Sequence, residues 1–578
     1  VVGDRPLAGV ESEGSQTCAA LAAELTAPAG KTIEYWILLG EGEDRREAEQ
    51  FVDAHRSRES IDAAYAEATG FWTDLFDGFS IDTPSQPLNL MVNGWLPYQN
   101  LACRIWGRSA YYQSGGAYGY RDQLQDSSAF TLLSPEITRR QILRHAERQF
   151  VEGDVLHWWH PPVGAGIRTR FSDDLLWLPL LTAEYAEATG DQQIWRETRP
   201  YLQAPLLEPG QAERFLIPEN SDERGDVYEH CCRAIDRSLD VGAHGLPLMG
   251  TGDWNDGMNR IGQGGKGESV WMGFFLSTIL QKFIPVCRRF EDHDRANRYE
   301  QHRLQLESAL NEGGWDGQWY RRAYYDDGAP VGSARSEECQ IDALAQAWAV
   351  LSGAAPADRA EMAVQSVLER LVSTEERMIK LLDPPFHRCA HDPGYIKGYL
   401  PGVRENGGQY THGVLWFVRA LGEMGRGTLA CELLEMLTPV RHGDSPEMVA
   451  KYQAEPYVVA ADVYGVEPHV GRAGWTWYTG SAGWMVRVAT ETLLGLKLDQ
   501  GERLRIAPAI AADWPHCRVS YRLDDGRTRY EISIANPHRR EDGVTSATLD
   551  GQPIEVVDGG GNVPLLRDGQ LHTVEITL

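Results

Sequence analysis

"SVWMGFFLSTILQKFIPVCRRF", Ser269 to Phe290, decides how this chain is read. Its apolar residues fall on nearly every face of the helix they would form, whereas a surface helix keeps one polar side. A helix of this kind has to be covered from two directions. "PEITRRQILRHAERQFV", "DDLLWLPLLTAEYAEATG", "CQIDALAQAWAVLSG", "DRAEMAVQSVLERLV", "THGVLWFVRALGEMG" and "AGWMVRVATETLLGL" carry helical periodicity too, several of them apolar on more than one face. Gly/Pro-rich loops separate them. Residues 89–494 are therefore expected to be mainly α. A helical toroid with its site at one end fits this pattern, and so does an irregular helical domain.

The flanks differ in character. After Leu496, "ERLRIAPAI", "CRVSYRLDDGRTRYEISIA", "SATLDGQPIEVV" and "LHTVEITL" alternate apolar and polar residues around DDG, LDG and GGG turns, which predicts an antiparallel β domain over 495–578. Upstream, Ile33–Leu39 reads as a strand closing a β domain over 1–43, and 44–88 as a helical linker. The opening "VVGDRPLAGV" does not resemble a natural initiation site, so the chain is expected to begin inside a longer polypeptide.

Composition narrows the function. The net charge of −28 opposes nucleic acid and anionic membrane surfaces, both of which need basic patches. The nine cysteines are scattered without a CxxC pair, which suggests reduced thiols and a cytoplasmic setting. The 18 Trp and 23 Tyr suit a sugar cleft, where a ring face stacks on a pyranose, although any single ring is expected in the core more often than in a cleft.

Four clusters carry chemistry and read as loops. "GRSAYYQSGGAYGYRDQLQDSSAF", Gly107 to Phe130, holds Arg108, Arg121, Asp122 and Asp126. Arginine forks and carboxylates bind sugar hydroxyls or anions, or else pair internally to brace a loop. In "HWWHPPVGAGIRTRFSDDLLWLP", His157 to Pro179, the two histidines lack a third ligand at a metal spacing. They are expected at a helix end or in a loop, with a structural or substrate-contacting role, and Ser172 as the N-cap of a following helix. "MGTGDWNDGMNRIG", Met249 to Gly262, sets Asp253 and Asp256 around Trp254 among turn-forming glycines. The "GQGGKG" that continues it lacks the strand and pattern of a phosphate loop. Last come "GVRENGGQYTHGVLW" (Gly402–Trp416) and "WTWYTGSAGWM" (Trp475–Met485), which place hydroxyls, glycine amides and His412 beside helix starts, where anions are favoured.

"YGYRDQLQD", "GDWNDGMN", "RENGGQYTH" and "WYTGSAGWM", in this order, resemble the inverting β-glycoside phosphorylases of glycoside hydrolase family 94. Within that family the DWND, HWWH and "EPYVVAADVYG" segments are most similar to the phosphorylase-like domain of cyclic β-1,2-glucan synthases. The resemblance implies a β-sandwich, here reduced to a remnant, then a helical linker, an (α/α)6 barrel and a C-terminal β domain. It also implies that Asp256 is the general acid and that Arg108, His412, Thr479 and Gly480 hold phosphate. Arg121, Asp122, Asp126, Asp253, Trp254 and Gln409 would contact sugar. Inorganic phosphate would be a substrate, with no cofactor and no metal. A family glutamine after EPYV is replaced here by Ala460, Ala461 and Asp462, which argues against a cellobiose-type assignment; Arg404 and Glu405 are neighbours worth testing.

The implied reaction is phosphorolysis of β-1,2-linked glucan or gluco-oligosaccharide to α-glucose 1-phosphate. A phosphorylase needs one acid, because phosphate replaces the second carboxylate that an inverting hydrolase uses to activate water. A free-standing oligoglucan phosphorylase, an inverting hydrolase and a non-catalytic glucan-binding module are the alternatives. A homodimer and a place in a larger membrane-associated synthase are the partner expectations.

Overall fold

The computed structural model describes residues 25–42, 44–110 and 113–578. It divides into two compact units, Val1–Thr73 and Asp74–Leu578. In the first, the helix Arg45–Ala54 starts at Asp44, whose carboxylate accepts from the Glu47 amide (2.8 Å). The strand expected at Ile33–Leu39 does not form. Leu39 is 99 % exposed, and among the described residues no neighbour offers this segment a hydrogen-bond ladder, without which an extended apolar stretch is not a strand. The rest of the expected sandwich remnant, residues 1–24, lies outside the described residues.

Among its described residues the second unit carries, besides the short helix Pro446–Tyr452, twelve helices that form a double ring: α1 (86–105), α2 (Tyr120–Ser128), α3 (Pro135–Ala146), α4 (Trp177–Thr189), α5 (Val227–Arg237), α6 (Val270–Arg289), α7 (His293–Glu312), α8 (Ala343–Leu351), α9 (Ala357–Arg370), α10 (Thr411–Glu423), α11 (Gly427–Met436) and α12 (Ser481–Arg487). The even-numbered ones pack in sequence, α2 on α4, α4 on α6, and so on to α12, which returns to α2 and closes the ring. Each is backed by an outer helix: α3 on α2, α5 on α4, α7 on α6, α9 on α8, α11 on α10, and α1 on α12. This explains the apolar stretch that opened the reading. Inner helix α6 is covered by α4 and α8 at its sides and by α7 behind, and Trp271, Phe274, Phe275, Phe283 and Leu280 are all buried. It is also long and apolar enough to cross a membrane, but 78 % of that window is buried inside the protein.

Tryptophan fills the axis of the ring. Trp177, Trp271, Trp348, Trp416 and Trp484 come from five different inner helices, and the other four surround Trp416 at 5.3 to 6.3 Å between ring centres. Offset and edge-on contacts of this kind contribute about 0.5–1.5 kcal/mol each beyond area burial. Much of the aromatic content is therefore core.

The C-terminal strands follow the period of two seen in the sequence. Cys517, Val519 and Tyr521 are buried while their neighbours face out, and Tyr530, Ile532 and Ile534 repeat the pattern on the paired strand. The six-stranded sheet also includes Phe79–Asp82, paired antiparallel with His516–Arg522, so the 44–88 segment expected to be a helical linker contains a strand before α1 begins.

Candidate active site

The four clusters meet at one end of the ring. The first is not a loop: Tyr120–Ser128 is inner helix α2, and its polar residues are buried. Arg121 points at the DWND turn. Its Nη1 donates to Asp173 Oδ1 (2.8 Å) and to the carbonyl of Asp253 (3.0 Å), Nε lies 3.7 Å from Asp174, and Nη2 pairs with Asp256. One guanidinium thus gathers three carboxylates.

The DWND turn depends on its glycines. Gly250 and Gly252 have φ of +63° and +132°, and a Cβ would lie 2.2 Å from the Arg170 carbonyl and 2.3 Å from the Phe171 ring, respectively. Held this way, the two aspartates diverge. Asp253 is fully buried; it accepts two 2.6 Å bonds from the equally buried Arg322 and one of 2.7 Å from Ser269 Oγ. Burial opposes its charge, but Arg322 overcomes this and holds it below the usual carboxylate range. Asp256 begins a short 3-10 turn, and its side chain keeps 33 % exposure. Only Asp256 has an open face.

Behind Asp256 stands His157. It lies on the strand Leu156–His160, not in a helix end or loop, and Nδ1 is 2.8 Å from Asp174 Oδ2 while Nε2 is 3.8 Å from Asp256 Oδ2. Ser172 is not a helix cap: its hydroxyl donates to the Gly252 carbonyl (3.2 Å), and the 3-10 turn before α4 starts after Asp173. Asp173, bonded by Arg121 and Trp177 Nε1, is pushed up to about 7 by burial, which outweighs the arginine.

A second charged group starts from Arg104, which the sequence reading did not single out. It is buried near the end of α1, four residues before Arg108, which opens the strand Arg108–Ala110, and it donates from Nε to Asp126 (2.8 Å) and from Nη2 to Asp122 (3.0 Å). Arg108 Nη1 is 3.1 Å from the other oxygen of Asp122, and both guanidiniums lie over the Tyr478 ring (5.2 and 4.8 Å). Burial works against charge on Asp122, but Arg108 and Arg104 override it and keep its pKa far below normal. Asp126 responds the other way. Its side chain has no exposure, burial dominates, and it is pushed up to about 7 with Oδ1 unpartnered. That oxygen, and His412 Nδ1, face Gly480 at 3.5 and 2.9 Å from where a Cβ would stand.

His412 sits in the first turn of α10 against the edge of Trp254 (5.2 Å) and Trp416 (5.0 Å). Its tautomer can be deduced. Trp484 Nε1, which can only donate, bonds Gln125 Oε1 (3.0 Å), and Gln125 Nε2 donates to the Arg121 carbonyl (3.1 Å). Oε1 is therefore the acceptor that His412 Nε2–H meets at 3.0 Å. Burial lowers the imidazole to about 3, so it is neutral and turns the lone pair of Nδ1 toward Gly480. A hydroxyl-bearing anion such as hydrogen phosphate can donate to it. Thr479 Oγ1 is 2.7 Å from Ser481 Oγ, and Gly480 caps α12.

The remaining expected residues serve other contacts. Trp254 rests on the tryptophan core, 5.3 Å from Trp416. Gln409 is buried, accepts from the Ile379 amide (3.2 Å) and donates to Thr411 Oγ1 (3.3 Å). The glycine-rich GQGGKG loop does cradle an anion, but its occupant is Asp326, which accepts from the amides of Gly264, Lys266 and Gly267 at 2.7, 2.9 and 2.9 Å. Asp462, at the departure from the family pattern, accepts from the amides of Arg404 (3.1 Å) and Trp475 (3.2 Å) and so ties the two loops of the fourth cluster together. Arg404 lies over Trp475 and Tyr399 (4.5 and 4.9 Å) and bonds Glu405 (3.2 Å).

A partly open carboxylate backed by arginine and histidine, with a buried arginine cluster at a nearby helix start, is an arrangement suited to acid-assisted cleavage of a glycoside. Residues 71–495 match the family model described as the glycosyl hydrolase 94 superfamily, catalytic domain, and the chain belongs to that family. It is a glycoside phosphorylase-like enzyme domain. Among its relatives, it is 45 % identical over 547 residues to the cyclic beta-(1,2)-glucan synthase NdvB of Rhizobium meliloti, covering 94 % of this chain but 19 % of that protein. It is 31 % identical to the solabiose phosphorylase of Paenibacillus borealis (95 % and 67 % covered) and 30 % identical to the N,N'-diacetylchitobiose phosphorylase of Vibrio proteolyticus (98 % and 71 %). The chain thus spans about a fifth of the synthase. In fold, it is similar to a bacterial glucoamylase solved with acarbose, with a TM-score of 0.50 at 11 % identity over 78 % of this chain and 62 % of that one; the ring is an (α/α)6 barrel.

Proposed function

We propose that this domain phosphorolyses β-1,2-linked glucan or gluco-oligosaccharides, with Asp256 as general acid and phosphate attacking C1 with inversion. The observation that carries it is the divergence of the DWND aspartates: Asp253 is consumed by Arg322, whereas Asp256 keeps an open face. Phosphate would lie between Arg108, His412, Thr479 and Gly480, where Arg104 and Arg108 supply charge and the α12 amide end adds a favourable field. Arg121, Asp122 and Asp126 then brace the site from within as much as they touch sugar, since their polar atoms are largely engaged by protein. Phosphate is a substrate and no cofactor takes part.

The β-1,2 linkage rests on the similarity to the Rhizobium meliloti synthase. In that setting the domain would act at the cytoplasmic face of a larger membrane-associated chain, and a homodimer is part of the same reading. The division into remnant, linker, barrel and β domain belongs to it as well.

The test is release of glucose 1-phosphate from linear β-1,2-gluco-oligosaccharides, with and without phosphate, by the wild type and Asp256→Asn. Phosphate-dependent release that falls about 10²–10⁴-fold in the variant is expected for loss of a general acid. Free glucose formed without phosphate would mean a hydrolase instead.

A further inference from the structure

Asp256 has a difficulty that the phosphorylase reading leaves open. A general acid must hold a proton when it acts, and Arg121, which binds its Oδ1, has none to give because a guanidinium does not deprotonate. On the other oxygen stands His157, 3.8 Å from Oδ2 through Nε2, with Nδ1 fixed at 2.8 Å on buried Asp174. The imidazole is steadied further by the Phe171 ring at 4.6 Å and is itself only 12 % exposed at its side chain.

We propose that His157, oriented by Asp174, is a positioning residue that supplies the proton Asp256 passes to the leaving oxygen. This rests on the reading of Asp256 as the acid. Facing the ring are Asp174 ahead of α4, Asp256 on the DWND turn, and Arg121 and Asp122 on α2. Burial disfavours the imidazolium, but Asp174 and then Asp256 outweigh burial and Arg121, and the histidine is raised above its ordinary range. It therefore keeps its proton more readily than a free imidazole, beside the carboxylate that has to receive one.

The step balances. A proton moves from Nε2 to Oδ2 of Asp256 once bound substrate draws the pair from 3.8 Å to hydrogen-bond distance, and Asp256 protonates the glycosidic oxygen as its bond to C1 breaks. Hydrogen phosphate forms the new C1–O bond and keeps its own proton on the ester. The neutral imidazole is recharged from water at its exposed edge, and the released phosphate ester returns a proton to water.

His157→Gln tests this, since a glutamine amide can still bond Asp174 but carries no labile proton. Phosphorolysis is followed on two substrates, the glucan and β-glucosyl fluoride, whose leaving group does not need a full proton. The expected result is a kcat about 10–100-fold lower on glucan, with kcat on the fluoride within about twofold of wild type. An unchanged glucan rate, or equal losses on both substrates, would overturn the proposal, the latter by showing a purely structural role. Asp256→Asn in the same assay separates the two levels: if it cleaves glucan at the wild-type rate, the assignment of the acid itself falls.

Discussion

The two aspartates of one four-residue turn should fail in opposite ways. Asp253→Asn changes a carboxylate with no exposure that takes bonds of 2.6, 2.6 and 2.7 Å from Arg322 and Ser269. An asparagine keeps one neutral acceptor oxygen and points an NH2 group at a donor, so the buried Arg322 is left with Ser269 Oγ at 3.2 Å and, as a charged partner, Asp342 at 3.5 Å. Breaking a buried pair from one side costs about 3–5 kcal/mol. Asp256→Asn alters a pair that is a third exposed, where water screens the interaction and the amide oxygen can still accept from Arg121; its cost is about 1 kcal/mol or less. Urea unfolding followed by tryptophan fluorescence measures both. Asp253→Asn should lose several kcal/mol while its folded fraction retains turnover, and Asp256→Asn should unfold close to wild type while turnover collapses. Equal losses of stability, or an Asp253→Asn protein of undiminished stability, would refute the division of roles.

Two further outcomes follow from the same geometry. Gly480→Ala places a methyl 2.9 Å from His412 Nδ1 and 3.5 Å from Asp126 Oδ1; at about 1–2 kcal/mol of lost fit, the KM for phosphate should rise roughly tenfold with the fold intact, as circular dichroism and steady-state kinetics would show. Asp126 is raised in the folded state to about 7, so its contribution to stability is present below the unfolded value near 3.8 and is lost as pH rises through 7. Asp126→Asn does not titrate, so its Tm relative to wild type should climb between pH 5 and pH 8, and a flat difference would contradict the burial argument.

What the sequence disclosed and what it hid have different physical causes. The buried helices were legible because α6 and α10 spread apolar residues around their circumference, which only a covered helix tolerates. Helix α2 was not, because "YRDQLQDSS" has no apolar stripe; its charged groups are buried by pairing with residues on other segments, and such pairing leaves no periodic mark. Arg104 escaped for the same reason. The turn at Asp256 was visible through its glycines, but its two carboxylates could not be told apart, since the partner that claims Asp253 lies 69 residues away. The expected strand at Ile33–Leu39 failed because an apolar segment becomes a strand only beside another one.

The closure of the ring also sets when a newly made chain can work. Arg104 and Arg121 come from its first part, and Gly480 and Trp484 from its last. At roughly 5–20 residues per second, tens of seconds of synthesis separate them. During that interval α2 is without α12, and the acids and arginines it carries have only part of the wall that will enclose them. Catalytic competence therefore arrives late, as a property of the finished circle, and a ribosome stalled before residue 480 would release helices but no enzyme.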